Sequence, residues 1–330
     1  MIQIGKNRLN DIKANFNNKK IAVIGDMMLD SYFWGEVKRI SPEAPVPVLE
    51  VENEFYRFGG AANVALNIQK LNGIPLPIGV IGNDNHGSIF SSLLNEANIS
   101  NEGIIIEDSR PTTTKTRVIA GNQHVVRIDK ESKMYLNEEI ERNVYNLFES
   151  EINEIDAVIL QDYNKGVLTP NLISKIIMLA NKNNILITVD PKFNNFFSYK
   201  DVTVFKPNRK EAEEVLGIKI KSDEDISNVG KKLLSKLKAK NILLTLGEEG
   251  IAIFQKDKEE IRIPTKARKI ADVSGAGDTV ISTLTMSIAA GTDILEASYL
   301  ANYAGGLVCE EVGIVPIEIN HLFNIAENGN

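Results

Sequence analysis

The sequence predicts a three-layer α/β fold in which helices cover a central, mostly parallel sheet that carries a small β-sheet lid. Short apolar runs rich in β-branched residues alternate with segments of helical periodicity along most of the 330 residues. Polar residues directly follow several of these runs, as they do at the carboxyl ends of parallel strands. A proline-spaced segment interrupts the alternation and indicates strands outside the main sheet.

Composition narrows the possible functions. The chain is 43% hydrophobic and 25% charged, with a formal net charge of -7 and no long basic run, so neither nucleic acid nor a membrane is an expected partner. The first 20 residues lack the apolar core of a signal peptide, which favours a cytoplasmic protein. The single cysteine, Cys309, excludes an internal disulfide and is expected to be a buried small residue. The three histidines lack metal-ligand spacing.

The first predicted strand spans residues 20–25 and is followed by Asp26 and Asp30. Carboxylates at the end of a buried parallel strand suit sugar hydroxyls, although both residues could equally be turn-formers. Binding is favoured for Asp30 over Asp26.

Lid strands are predicted at about 32–58 and 111–129. In the second segment Lys115 and Arg117 lie on one face by the two-residue strand period, and Arg127 follows on the next strand. Such cations either keep a solvated edge soluble or grip a dianion such as a sugar phosphate.

Gly59 and Gly60 open a helix that runs to about residue 71 and contains Asn63. Paired glycines allow a ligand to approach the backbone, and the Asn63 amide both donates and accepts. Tight packing of the helix on a strand would use the same residues.

Three further strands, at 157–160, 185–189 and 202–205, should deliver polar side chains to one rim of the sheet, the predicted active site. These side chains are Asp162, Asp190, Lys192, Lys206, Asn208 and Glu211. Asn208 and Glu211, three residues apart at a helix start, either order magnesium-bound water or form a capping box. A strand at 240–245 ends at Thr245 and Gly247.

The stretch 272–279, with Gly275, Ala276, Gly277 and Asp278, precedes an apolar helix with one predicted buried face. Glycines there let backbone N–H groups converge on an anion at the positive end of the helix dipole. Asp278 in the first turn is placed to accept the proton of an attacking hydroxyl. An ordinary helix cap beside a glycine turn is the alternative.

These motifs occur in the order seen in ribokinase-like sugar kinases, also called the phosphofructokinase-B family, which the chain resembles from about residue 20 onward. Residues 25–30, 39–47 and 112–117 resemble, more narrowly, the heptose 7-phosphate 1-kinases of ADP-heptose synthesis. The resemblance implies a single ribokinase-like domain over 1–330 and a homodimer. It also implies transfer of the ATP γ-phosphoryl group to the anomeric hydroxyl of D-glycero-β-D-manno-heptose 7-phosphate, with Mg²⁺ and room for a monovalent cation such as K⁺.

The resemblance also implies a role for each motif residue. Asp278 matches the catalytic base, and the residues from Gly275 to Gly277 match the anion hole. The residues implied at the nucleotide are Lys206, Asn208, Glu211, Thr245, Gly247 and Asn302, with Glu211 reaching the metal through water. The residues implied or expected at the sugar phosphate are Asp30, Gly59, Gly60, Asn63, Lys115, Arg117, Arg127, Asp162, Asp190 and Lys192.

Two alternatives remain: a ribokinase-family kinase for another sugar, and a non-catalytic sugar-binding regulator. A dinucleotide oxidoreductase is disfavoured because the first strand ends in Gly-Asp-Met-Met, without a Gly-x-Gly-x-x-Gly motif. No His-x-Gly-His signature of a nucleotidyltransferase is present, so a stand-alone kinase is expected.

Overall fold

The computed structural model describes residues 4–121, 123–265, 273–310, 313 and 315–328. Within these ranges the main sheet has nine strands in the order β13-β12-β11-β10-β9-β8-β1-β4-β5. Its strands are β1 Lys20–Gly25, β4 Ile74–Gly82, β5 Ile104–Glu107, β8 Ala157–Gln161, β9 Leu186–Asp190, β10 Val204–Phe205, β11 Asn241–Thr245, β12 Ile251–Gln255 and β13 Ile261–Ile263. The pairs from β5 to β11 are parallel, and β12 and β13 extend the sheet antiparallel. The predicted strand alternation is confirmed.

Helices cover both faces of this sheet and form the outer layers. They are α1 Lys6–Asn15, α2 Ala61–Lys70, α3 Asn85–Glu96, α4 Glu138–Ser150, α5 Pro170–Lys182, α6 Arg209–Leu216, α7 Asp223–Leu237, α8 Ala276–Ala289, α9 Ile294–Val308 and α10 Ile319–Asn328. Successive strand residues point to opposite faces. Val23 of β1 therefore belongs to the apolar cluster that includes residues of α2, α8 and α9, whereas Ile24 belongs to the cluster that includes residues of α5 and α7. The two resulting cores confirm a three-layer α/β fold.

The segments predicted as a lid form a separate four-stranded sheet in the order β3-β2-β6-β7. Its strands are β2 Met27–Ile40, β3 Pro47–Gly60, β6 Thr113–Ala120 and β7 Gln123–Lys130. β2 begins five residues before the predicted boundary because the chain leaves β1 and enters β2 with Asp26 alone between them. β3 leads directly into α2, so the small sheet is joined to the core at the ends of β1 and α2.

The two faces of the small sheet differ in chemistry. Cross-strand partners share a face, and the register therefore places Asp30, Lys115, Arg117 and Arg127 on one side. The opposite face carries the apolar residues Phe33, Val118, Val126 and Ile128. The polar face meets the core, since the Lys115 Nζ lies 5.3 Å from the centre of the Tyr163 ring.

Helix α8 corrects one expectation. The sequence predicts a single buried face, but every residue from Asp278 to Ser287 is buried. The helix lies between α2, α9 and the sheet. Three of its buried hydroxyl side chains, Ser282, Thr285 and Ser287, donate to carbonyls one turn earlier. Polar residues along a helix therefore did not mark a solvent-facing side here.

None of the helices in the described ranges combines the length and apolarity needed to cross a membrane. No group of three or more His, Cys, Asp or Glu side chains in those ranges is arranged as a metal site.

Candidate functional site

The N-terminus of α8 forms the centre of the site. Gly275 has φ 79° and ψ -5°, in the left-handed region that residues with a side chain rarely adopt, and it turns the chain into the helix. Ala276, Gly277 and Asp278 make up the first turn, whose N–H groups point out of the helix end. Gly277 is exposed, whereas Asp278 is only 3% exposed. The predicted arrangement of an amide-rich turn beside a buried acid is therefore present.

Three side chains donate hydrogen bonds to the Asp278 carboxylate. Asn63 Nδ2 of α2 is 2.8 Å from Oδ2, and Gln161 Nε2 at the end of β8 is 3.0 Å from Oδ1. The Tyr163 hydroxyl, in the loop after β8, is 2.8 Å from the same Oδ1. These three hydrogen bonds hold the carboxylate in one orientation.

Burial sets the proton affinity of this acid. Desolvation raises the pKa of Asp278 from 3.8 to about 6, with a further upward contribution from the charge of Asp190. The hydrogen bonds from Asn63 and Tyr163 and the charge of Lys206 oppose the rise. A carboxylate that ionises near pH 6 is a stronger base than an ordinary aspartate and is still ionised at pH 7.

The neighbouring strand ends supply an ion pair. Lys206 Nζ lies 2.9 Å from Asp190 Oδ2, and Gln161 Nε2 also reaches that oxygen at 3.3 Å. A Cβ added to Gly277 would lie 3.7 Å from both charged atoms, so the helix turn touches this pair. The amide of Gln161 thus joins the Asp278 and Asp190 carboxylates.

A cavity of about 710 Å³ opens beside Asp278. Most residues predicted at the nucleotide line it, namely Lys206, Asn208, Thr245, Gly247 and Asn302, together with the turn from Gly275 to Asp278 and the rim residues Asp190 and Lys192. The volume lies within the range of small-molecule sites. Cys309 also lines this cavity and is half-buried, so its expected burial in the core is wrong; it caps the end of α9.

Asn208 and Glu211 form a capping box. Asn208 Oδ1 accepts from the Glu211 N–H at 2.8 Å, and Glu211 Oε2 accepts from the Asn208 N–H at 2.9 Å. The other Glu211 oxygen contacts Lys192 Nζ. Both oxygens of this buried carboxylate are engaged, so direct metal coordination is not the arrangement present. A contact to a hydrated ion near the phosphates stays a prediction.

Two residues predicted for the sugar phosphate, Asp190 and Lys192, line the same cavity as the predicted nucleotide residues. The predicted residues of the small sheet do not line it. Arg117 Nη1 pairs with Asp30 Oδ1, and a Cβ on Gly59 would lie 2.8 Å from Asp30 Oδ2. Gly59 therefore leaves room for this carboxylate. Lys115 is half-buried, burial lowers its pKa, and no carboxylate of the described residues is within ion-pair distance of it.

Asp26 has a different role from Asp30. Its carboxylate accepts from the backbone N–H groups of Tyr163 at 2.7 Å, Lys165 at 3.0 Å and Val167 at 3.2 Å. Burial raises the pKa of Asp26, although these hydrogen bonds oppose the rise. Asp26 thus fixes the loop that carries Tyr163.

Two predicted residues lie away from the cavity. Asp162 accepts from the Tyr199 hydroxyl at 2.7 Å and from the Asn164 N–H at 2.7 Å, and is 2% exposed. Arg127 is exposed and pairs with Asp129 at 2.8 Å. Neither residue forms a hydrogen bond with Asp278. Asp272, part of the predicted loop, lies outside the described residues.

Gln161 and Tyr163, which both donate to Asp278, are not among the predicted site residues. The prediction for the segment after β8 names Asp162. Because side chains alternate in an extended chain, the residues on either side of Asp162 face the opposite way. The two-residue period of an extended chain was the signal that could have indicated Gln161 and Tyr163 as a pair.

Known proteins resemble this chain in sequence and in fold. A model described as pfkB family carbohydrate kinase matches residues 18–319. The bifunctional protein HldE of Helicobacter pylori strain J99 is 44% identical over 295 residues, covering 89% of this chain and 64% of the relative. HldE of Desulfatibacillum aliphaticivorans is 41% identical over 303 residues, covering 92% and 62%. A structure of Arabidopsis thaliana ribokinase complexed with ribose and ATP has a TM-score of 0.73 at 18% identity, covering 93% and 99%.

The matches differ in how much of each protein they cover. The chain spans somewhat less than two thirds of the length of the two HldE relatives. The likeness to ribokinase extends over nearly all of both chains and confirms the ribokinase-like fold. Because the family model covers most of the sequence, this chain belongs to the pfkB family of carbohydrate kinases.

Proposed function

We propose that the protein transfers the γ-phosphoryl group of ATP to the anomeric hydroxyl of D-glycero-β-D-manno-heptose 7-phosphate, giving the 1,7-bisphosphate. The observation that carries the phosphotransfer is the buried Asp278 beside the glycine turn of α8, at the boundary between a nucleotide-sized cavity and a cationic sheet face. The choice of heptose rests on the motif resemblance and on the HldE relatives. A place in ADP-heptose synthesis, in the cytoplasm, follows from the same proposal.

In the proposed reaction the acceptor hydroxyl gives its proton to Asp278 as its oxygen bonds to the γ-phosphorus. The bond from that phosphorus to the β–γ bridging oxygen breaks, and ADP leaves. Negative charge that develops on the transferred group lies at the N-terminus of α8, where amide groups and the helix dipole favour it. Lys206 adds a positive charge, since its pair with Asp190 already holds it against the glycine turn.

The acceptor side has the chemistry of a polyol site. Asn63 Oδ1 and Gln161 Oε1 are buried and have no hydrogen-bond partner among the described residues. Both side chains already fix their amide N–H groups on acids, so their carbonyl oxygens suit hydroxyl donors of a sugar. Lys115 and Arg117 on the sheet face suit its 7-phosphate.

The residues of the site could hold Mg²⁺ only together with the phosphates of a bound nucleotide. Mg²⁺ keeps several waters and takes one or two carboxylates plus substrate phosphates, which agrees with the absence of an acidic cluster in the described ranges. Glu211, beside Lys192, would hold hydrated Mg²⁺ indirectly. When bound, the ion supplies neutralisation of phosphate charge. Dependence on K⁺ stays a prediction.

We also propose a homodimer formed through the apolar face of the four-stranded sheet. Val126 is 47% exposed and Ile128 56% exposed on that face, opposite the face that carries Lys115 and Arg117. A second copy would cover these side chains and leave the cationic face to the ligand.

An ADP-release assay over a panel of sugars tests the substrate assignment. The panel compares the phosphorylated heptose with fructose 6-phosphate, ribose and heptose lacking the phosphate. The phosphorylated heptose should give the highest kcat/KM. Equal or higher values for another sugar would favour a ribokinase-family kinase of different specificity, and ligand binding without any ADP release would favour the non-catalytic regulator.

A further inference from the structure

The three donors to Asp278 are not equivalent. Asn63 and Gln161 belong to a helix and a strand and are 1% and 0% exposed. Tyr163 lies in a loop, is half-buried and lines the cavity. It is therefore the one of these three partners that reaches the base from the side open to ligands.

The Tyr163 contact has the geometry that the reaction requires of a substrate. A general base accepts from a hydroxyl at about 2.6 to 3.2 Å, and the phenol donates to Asp278 Oδ1 at 2.8 Å. That oxygen also accepts from Gln161, so its two lone pairs are both occupied. A sugar hydroxyl that donates to Oδ1 must replace the phenol.

We infer that the Tyr163 hydroxyl is a placeholder on the base, which the acceptor hydroxyl displaces when the sugar binds. The inference rests on the proposed function. It makes Tyr163 a positioning residue that keeps the base desolvated and oriented before substrate arrives, and whose departure couples sugar binding to exposure of the base.

The charged groups around Tyr163 allow this exchange. Its ring centre lies 5.3 Å from Lys115 Nζ of the small sheet and 5.3 Å from Lys192 Nζ of the main rim. Asp278 and Asp190 also face the phenol, and burial together with these two charges raises its pKa well above the usual value, so the hydroxyl stays a donor. Lys206 faces Asp190 and Asp278 from the strand beyond.

Anions bound on each side would draw the two ammonium groups away from the ring. A sugar phosphate would meet Lys115 and a nucleotide phosphate would meet Lys192. The loop backbone would stay in place because Asp26 accepts three of its N–H groups. The movement is therefore confined to the Tyr163 side chain.

Tyr163→Phe keeps the ring and removes the competing hydroxyl. Binding of the sugar phosphate without nucleotide, measured by calorimetry, should tighten about three- to tenfold, because no charge-assisted hydrogen bond has to be replaced. The acid limb of kcat/KM is the fall of that constant at low pH, and it reports the free enzyme. Its midpoint should shift to a pH higher by about 0.5 to 1, because the carboxylate loses a hydrogen bond that favours its ionised form. The acid limb of kcat should not move, because the phenol has already left the base in the complex.

Tyr199→Phe is the matched control. It also removes a buried phenol that donates to a carboxylate of the same loop, Asp162, but does not touch the base. It should leave both acid limbs unchanged, so an effect seen equally in both variants would reflect the loop and overturn the inference.

The remaining outcomes separate this inference from the proposed function. Weaker sugar binding by Tyr163→Phe, or equal movement of both acid limbs, would mean that the phenol stays on the base during turnover, and overturns the placeholder role. Unchanged binding and limbs in an active enzyme would overturn it as well. If the wild-type protein turns over no sugar of the panel, the proposed function itself fails.

Discussion

Replacing Asp278 by asparagine changes one carboxylate oxygen of the site into an amide nitrogen with almost the same shape. Asn63, Gln161 and Tyr163 would still surround the side chain. The variant cannot accept the proton of the acceptor hydroxyl at neutral pH. We therefore expect both substrates to bind with little change and turnover to be lost.

General-base catalysis contributes about 10²- to 10⁴-fold to a rate. The kcat of Asp278→Asn should fall by this factor, which corresponds to about 3 to 5 kcal/mol of barrier height. In the wild type, kcat/KM should fall about tenfold per pH unit below the free-enzyme pKa of about 6, since only the ionised carboxylate is a base. The variant should lack this limb.

The same substitution should change how stability depends on pH. The pKa of Asp278 is raised by folding from 3.8 to about 6, so the folded state disfavours ionisation and wild-type stability declines as pH rises through this window. The full difference corresponds to about 3 kcal/mol. Asparagine does not titrate, so the free energy of unfolding of the variant relative to wild type should rise by about 2 to 3 kcal/mol between pH 4 and pH 7.

Steady-state ADP release and urea unfolding at several pH values measure the two effects. Asp162→Asn is the control, because burial also raises the pKa of Asp162 to about 6 while its carboxylate bonds to Tyr199 away from the cavity. It should show a similar pH-dependent stabilisation but lower kcat by less than about tenfold, as expected of a group outside the reaction. Wild-type turnover by Asp278→Asn would refute the assigned role, and a flat stability difference would refute the raised pKa.

Four further substitutions, one of them a control, test other parts of the structure. Lys115→Gln should raise KM for the phosphorylated sugar by about 10- to 100-fold through loss of a charge-assisted contact, with kcat/KM for the unphosphorylated sugar unchanged in steady-state assays. Gly60→Ala should lower the free energy of unfolding, measured with urea, by about 2 to 4 kcal/mol, because the residue has φ 56° and a Cβ would lie 2.5 Å from the backbone carbonyl oxygen of Asp26. Gly217→Ala, with φ 65° and open space, isolates the backbone strain and should cost about 1 kcal/mol. Val126→Asp should convert the proposed dimer to monomer in light scattering.

Each of these has a contrary outcome. If Lys115→Gln lowered kcat/KM equally for the phosphorylated and the unphosphorylated sugar, Lys115 would not recognise the phosphate. Equal destabilisation by the two alanine variants would show that space at Gly60 is not limiting. A wild-type protein that is monomeric at micromolar concentration would end the dimer proposal, and a dimer that survives Val126→Asp would place its interface elsewhere.

The sequence determined much of the fold, because strand and helix periods are local properties. The β-branched run of β1 and the polar residues after β8 and β9 depend only on neighbouring residues, and they predict a parallel sheet with a polar rim. Proline spacing likewise separated the small sheet from the main one. The glycines before Asp278 indicated an anion-binding turn for the same local reason.

Only the tertiary structure decided which side chains meet. Asn63 and Asp278 are 215 residues apart, and their contact depends on how α2 and α8 pack. After β8 the chain offers Asp162 to one side and Gln161 with Tyr163 to the other, and the packing of the layers selects the second pair for the base. The three-residue spacing of Asn208 and Glu211 is compatible with ordering magnesium-bound water and with a capping box. The folded chain forms the capping box. Periodicity fixes the faces of each element, but the free energy of packing the layers decides which face borders the cavity.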